Sequence, residues 1–187
     1  MIRALLAAAA LVLALPSAAA PESYTADPDH TFPSFEISHG NDFTVTRGFF
    51  QKTSGKITLD RAARTGTIEI VVDVASMTTG QQARDRIVTQ NWFKAVQFPT
   101  MTYRSSKLTF DGDTLVGADG ELTLAGITRP VSLAITSFKC RPHPVNKKEQ
   151  CGADGTARIK RSEFGLNAAS SVGDDVKILF QIEAYRD

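Results

Sequence analysis

The sequence predicts an all-β fold, and three observations carry that prediction. Apolar and polar residues alternate with a period of two through most of the chain, turn-forming residues separate the alternating runs, and one segment alone keeps helical spacing. Successive side chains of a strand point to opposite faces, so this alternation marks strands with one face in a core and the other in water.

In chain order, Phe35, Ile37 and His39 share one face while Ser34, Glu36 and Ser38 take the other. Ile68, Ile70, Val72 and Val74 repeat the pattern against Glu69 and Asp73. The segment from about Gln81 to Ala95 departs from it, because Ile87, Val88, Trp92 and Ala95 fall near helical spacing, which predicts a short helical excursion. Phe98-Pro99 then predicts an extended exit, since the residue before a proline avoids the helical region. Alternation resumes at Leu122 and Leu124, continues through Val131, Leu133 and Ile135, and ends with Val176, Ile178, Phe180 and Ile182. Asp111-Gly112-Asp113, Asp119-Gly120, Gly126, Asp154-Gly155 and Gly173-Asp174-Asp175 read as turns. Such a meander buries one face of each strand in either a two-sheet sandwich or a closed barrel, and alternation alone does not separate the two.

The chain opens on Met1, Ile2 and Arg3, runs apolar from Ala4 to Leu15, and passes through Pro16 to small residues at Ser17–Ala20. This reads as a secretory signal peptide over residues 1–19, cleaved near Ala19, with one domain over 20–187. The apolar run is about a dozen residues, short of the roughly 20 a spanning helix needs, and no second run follows, so a soluble exported protein is expected. Arg3 leaves with the leader, and the mature chain then carries 20 basic and 20 acidic side chains. That balance gives no electrostatic reason to bind nucleic acid or an anionic membrane. Lys147 and Lys148 read as a solvated loop. Cys140 and Cys151, an even count in an exported chain, predict a disulfide. A metal site is not expected there, because His143 is the single nearby soft ligand and the CxxC spacing is absent.

Catalytic signatures are missing. The chain has no GxSxG elbow, HExxH pair, phosphate-binding loop or dinucleotide fingerprint, and His30, His39 and His143 are widely spaced. His30 reads as a buried ring held by a backbone partner. His39 shares the parity of Phe35 and Ile37, so it is expected to face the interior, where it needs a hydrogen-bond partner or a ligand headgroup.

Several stretches, in order and spacing, resemble the YceI-like family of exported, lipocalin-like polyisoprenoid-binding proteins. They are Asp29-His30-Thr31 with the strand ending at His39, Arg47-Gly48-Phe49-Phe50, Ser76-Met77-Thr78-Thr79 with Arg84-Asp85, Trp92-Phe93, and Phe98-Pro99-Thr100-Met101. Gly120 to Val131 and Ile159 to Leu166 complete the series, which covers Tyr24 to Ala184. The insert between Cys140 and Cys151 departs from many members.

The resemblance implies an elongated antiparallel eight-stranded β-barrel with a short helical excursion around 81–95 and a long apolar channel. It implies a periplasmic protein that binds, stores or transports an isoprenoid quinone or polyprenyl lipid without catalysis and without a cofactor. Transient membrane contact and a homodimer are compatible with it. Phe35, Ile37, Phe50, Ile70, Val72, Trp92, Phe93, Phe98, Met101, Tyr103, Leu122, Leu124 and Phe164 are then expected to line or gate the channel, with His39 a ligand contact. Arg84, Asp85 and Tyr103 are expected at a headgroup, although Arg84 and Asp85 also suit a helix brace. A barrel filled by its own side chains has the same wall composition, and a stress-related envelope interaction protein is the alternative that this leaves.

Overall fold

The alternating runs build eleven strand segments: β1 (Glu22–Ala26), β2 (Ser34–His39), β3 (Thr44–Phe50), β4 (Thr53–Asp60), β5 (Thr65–Asp73), β6 (Met77–Thr78), β7 (Thr100–Asp111), β8 (Thr114–Leu124), β9 (Ile127–Pro142), β10 (Glu149–Lys160) and β11 (Val172–Arg186). The structure is a computed structural model describing residues 20–167 and 170–187; the leader expected over 1–19 lies outside the described residues.

The six short segments are halves of three long strands. β11 pairs with β1 near its C-terminal end and with β2 near its N-terminal end, so β1 and β2 act as one interrupted strand. β4 and β3 form the next strand, paired with β1 and β2 in turn, and β5 and β6 the one after. From there β7, β8, β9, β10 and β11 follow in simple meander order. All pairings are antiparallel, and the contact of β1 with β11 closes an eight-stranded barrel. Closure removes the open edges on which other chains could add a strand. It also decides between the two architectures that the alternation allows.

Sterically, the interior depends on small residues opposite large ones. The Phe35 ring lies over Gly48, its register partner on β3, where a Cβ would meet the ring at 2.6 Å. Phe180 on β11 likewise lies over Gly155 on β10, where a Cβ would come within 2.2 Å of it.

At the end of β6 the chain enters α1 (Gln82–Ile87), started by the Gln81 side chain accepting from the Arg84 N–H at 2.6 Å. A wider π-helical turn over Val88–Trp92 continues it, so the excursion expected over 81–95 is present. The Asp85 carboxylate ties α1 to β6 by accepting from the Thr78 hydroxyl at 2.9 Å and the Thr79 N–H at 2.8 Å. That is the brace reading of Asp85, and its carboxylate is spent on it.

Cys140 and Cys151 face each other across β9 and β10 and are joined by the expected disulfide. His30 differs from the sequence expectation. Its side chain is 58% exposed, and its partner is the Asp27 carboxylate at 2.8 Å rather than a backbone group. The neighbouring Thr31 is the residue that is buried, its hydroxyl 3.3 Å from the Glu183 carbonyl.

Candidate ligand-binding bore

The inward faces of the barrel do not fill it. They enclose a cavity of about 240 Å³ that runs between two unlike ends. On β11 its wall extends from Val172 to Ala184. At ~3.3 Å per residue and a strand tilt of about 40°, that span is roughly 30 Å along the barrel axis.

The middle of the wall is apolar. Phe35, Ile37, Phe50, Ile70, Val72, Met101, Leu122 and Leu124 line it, joined by Ile68, Val131, Leu133, Ile159, Val176 and Ile178. Val88, Trp92 and Phe93 add a helical section to the wall, with the Phe93 ring 6.0 Å from that of Phe50 and the Phe50 ring 6.2 Å from that of Phe35. Tyr103 is part of the wall. It is buried near the start of β7 with its hydroxyl 3.1 Å from the carbonyl oxygens of Ala118 and Val131. Burial pushes its phenol up to about 12. A headgroup role for Tyr103 is therefore corrected: the hydroxyl serves the backbone.

Two further aromatic residues lie elsewhere than the sequence reading puts them. Phe98 packs its ring against Gly126 at the β8–β9 turn and Phe164 is wholly buried in the core beside the short helical turn Arg161–Phe164, and neither belongs to the bore wall. Conversely, sequence reasoning missed Val88, Thr46, Thr79 and Arg161 as site residues, while the alternating face of Val176, Ile178, Phe180 and Ile182 on β11 does line the bore.

At the α1 end the wall turns polar and opens to solvent through His39, Thr46, Thr79, Arg84 and Arg161. Arg84 is exposed and folds back on Thr79, its Nε donating to the hydroxyl at 2.7 Å and its Nη2 to the carbonyl at 3.1 Å. Arg161 donates to the carbonyls of Leu166 and Gly173 at 2.8 Å and of Val172 at 3.1 Å, which fixes the start of β11 beside the mouth. Among the described residues, the lining contains no carboxylate, no lysine and no free thiol.

The opposite end is shut. Tyr24, Leu59, Leu115, Cys151 and Ala184 are buried there in a second apolar cluster. Below them the Tyr24 hydroxyl lies 2.7 Å from a Glu22 oxygen and 2.8 Å from a Glu149 oxygen, and Arg61 donates to the Tyr24 oxygen at 2.9 Å while pairing with Glu149. Burial first, then the two carboxylates, raise the Tyr24 phenol well above its usual range. Glu149 is held below the usual carboxylate range, because the hydrogen bonds from Tyr24 and Arg61 and the charge of Arg61 together outweigh the upward push of burial. The bore is therefore blind, with an apolar wall, a polar mouth and a hydrogen-bonded floor.

Against known families, the YceI-like domain matches residues 24–184. The chain belongs to the YceI-like family. A UPF0312 protein of Vibrio vulnificus (strain YJ016) is 29% identical over 161 residues, 84% of each chain. Among solved structures, Burkholderia cenocepacia BcnA superposes with a TM-score of 0.68 at 25% identity, covering 84% of this chain and 98% of that one. The Campylobacter jejuni YCEI protein gives 0.66 at 26% identity, over 78% and 87%. A polyisoprenoid binding domain from Saccharophagus degradans, implicated in plant cell wall breakdown, gives 0.66 over 89% and 99%, and at 16% identity it shares the YceI-like fold alone.

Proposed function

We propose that the protein is a periplasmic carrier or store for a long-chain isoprenoid, a quinone or polyprenyl lipid, held tail-first in the bore without chemical change. The observation that carries this reading is the shape and chemistry of the bore. About 240 Å³ spread over roughly 30 Å describes a bore one chain wide, apolar along its length and closed at its floor. An interior filled by its own side chains would leave no such space. A polyisoprenoid binding domain of the same fold supports the ligand class. The lining supports binding over catalysis, because its ionisable side chains besides Tyr24 and Tyr103 are His39, Arg84 and Arg161, all at the mouth. An acid–base pair has no position beside a tail in the middle.

Physically, each buried methylene contributes roughly 0.8 kcal/mol relative to water. A tail arriving from a membrane is already sheltered, and ordering it opposes binding, so net affinity stays modest and the tail can be released as well as taken up.

Trp92 is the sole tryptophan and lies in the wall, which makes it a built-in reporter. Titration with a long-chain quinone is expected to quench its fluorescence saturably at one ligand per chain, while the same headgroup without a tail does not. Val176→Phe, which narrows the bore, should weaken that binding by about tenfold or more, at a stability cost within the ~1–3 kcal/mol of an overpacked core. Quenching that never saturates, or that Val176→Phe leaves unchanged, contradicts the reading.

A further inference from the structure

Among the described residues, six large apolar side chains stand exposed, and four of them gather at one end of the barrel. Phe43, 85% exposed, and Val45 form the tip and flank of the β2–β3 hairpin; Ile87, 52% exposed, ends α1; Val96, 96% exposed, lies in the connection from the helical segment to β7. That is the mouth end. Val145 is the one such residue at the closed end, and Phe49 sits on the barrel wall with its ring 6.5 Å from that of Phe32.

Cations alternate with these tips. Arg84, Arg86 and Lys94 rise from the same helical segment and, among the described residues, none has an ion-pair partner. The acids at this end keep their charge while being hydrogen-bonded or paired: Asp85 accepts from Thr78 and Thr79, Asp42 from the Ser38 hydroxyl and Asp174 from Ser162, and Asp175 pairs with Lys160. Among the described residues, Arg84, Arg86 and Lys94 are thus left without an ion pair around these tips. Apolar tips interleaved with unpaired cations match a surface that is anionic outside and apolar just beneath, as an anionic phospholipid layer is. Two copies meeting mouth to mouth would instead set these cations against each other.

We infer that the mouth of the bore docks on an anionic phospholipid surface, with Phe43, Ile87 and Val96 entering the headgroup layer and Arg84, Arg86 and Lys94 contacting lipid phosphates. The inference rests on the reading of the bore as a carrier of apolar chains, and it names the place of exchange. A tail passing between bilayer and bore through such a contact never crosses open water.

Flotation of the full chain with phosphatidylethanolamine–phosphatidylglycerol vesicles tests it, beside pure phosphatidylcholine vesicles. Binding is expected to the anionic vesicles, to weaken as salt is raised, and to fall about tenfold or more in Phe43→Asp/Val96→Asp while Val145→Asp stays within about twofold of the unsubstituted chain. Both variants alter exposed positions, and the Trp92 titration, done without vesicles, reports on the bore separately. Lost flotation with intact Trp92 quenching supports docking. No flotation of the unsubstituted chain, equal flotation of Phe43→Asp/Val96→Asp, or a self-associated dimer that this substitution dissolves while flotation persists overturns it. If Trp92 fails to respond to any long-chain lipid, the carrier reading falls, and flotation still decides the docking by itself.

Discussion

His30 shows how a single residue can be read correctly as satisfied and wrongly as buried. The Asp27 carboxylate beside it raises the imidazole, chiefly through their hydrogen bond. Asp27 is held below the usual carboxylate range, since the hydrogen bonds from His30 and the Asp29 N–H outweigh the effect of burial. A raised histidine contributes stability that is fully present below its unfolded value, near 6.5, and is lost as pH rises through the higher folded value. The lowered aspartate contributes above its unfolded value, near 3.8, and loses that contribution as pH falls. The pair therefore helps most between those two values. His30→Gln is expected to destabilise the protein more at a pH of about 5.5 than at about 8.5, as read from urea midpoints. An equal loss at both would mean that the charge of His30 has no part in holding the β1–β2 connection.

At the scale of elements, the cross-strand disulfide offers a direct test of what holds the long β9–β10 arm. Replacing Cys140 and Cys151 together by serine should cost about 3 kcal/mol by the chain-entropy model, measured by urea unfolding, without loss of the barrel's circular dichroism. The elements themselves were unevenly legible. Asp119-Gly120, Asp154-Gly155 and Gly173-Asp174-Asp175, which read as turns, lie inside β8, β10 and β11. β5, β9 and the later parts of β8 and β11 announce themselves because their inward positions are branched or large, as in Ile68, Ile70 and Val72. β10 does not, since its inward positions include Gly155 and Ala157, kept small so that Phe180 can lie across the interior. β1 hides for a different reason: it is five residues long and places only Tyr24 and Ala26 inward. The bore was legible as a set of faces and not as a set of heights. Alternation says which way Tyr103 points but not that its hydroxyl meets two backbone carbonyls. Phe98 and Phe164 went astray similarly, because apolar residues in irregular segments have no period to place them.

For the whole molecule, function follows from an asymmetry between two ends of one closed sheet. The floor joins Tyr24, Arg61 and Glu149 into a hydrogen-bonded seal, and the mouth carries a helix, two arginines and the exposed apolar tips. In the function proposed above, a tail enters at one end and stops at the other. The most direct measurement is native mass spectrometry of the protein purified without detergent from the cells that make it, followed by organic extraction of whatever it releases. One long-chain isoprenoid per chain is the predicted result. A bare polypeptide mass that stays bare after incubation with long-chain quinone and polyprenyl lipid would contradict the account at its centre.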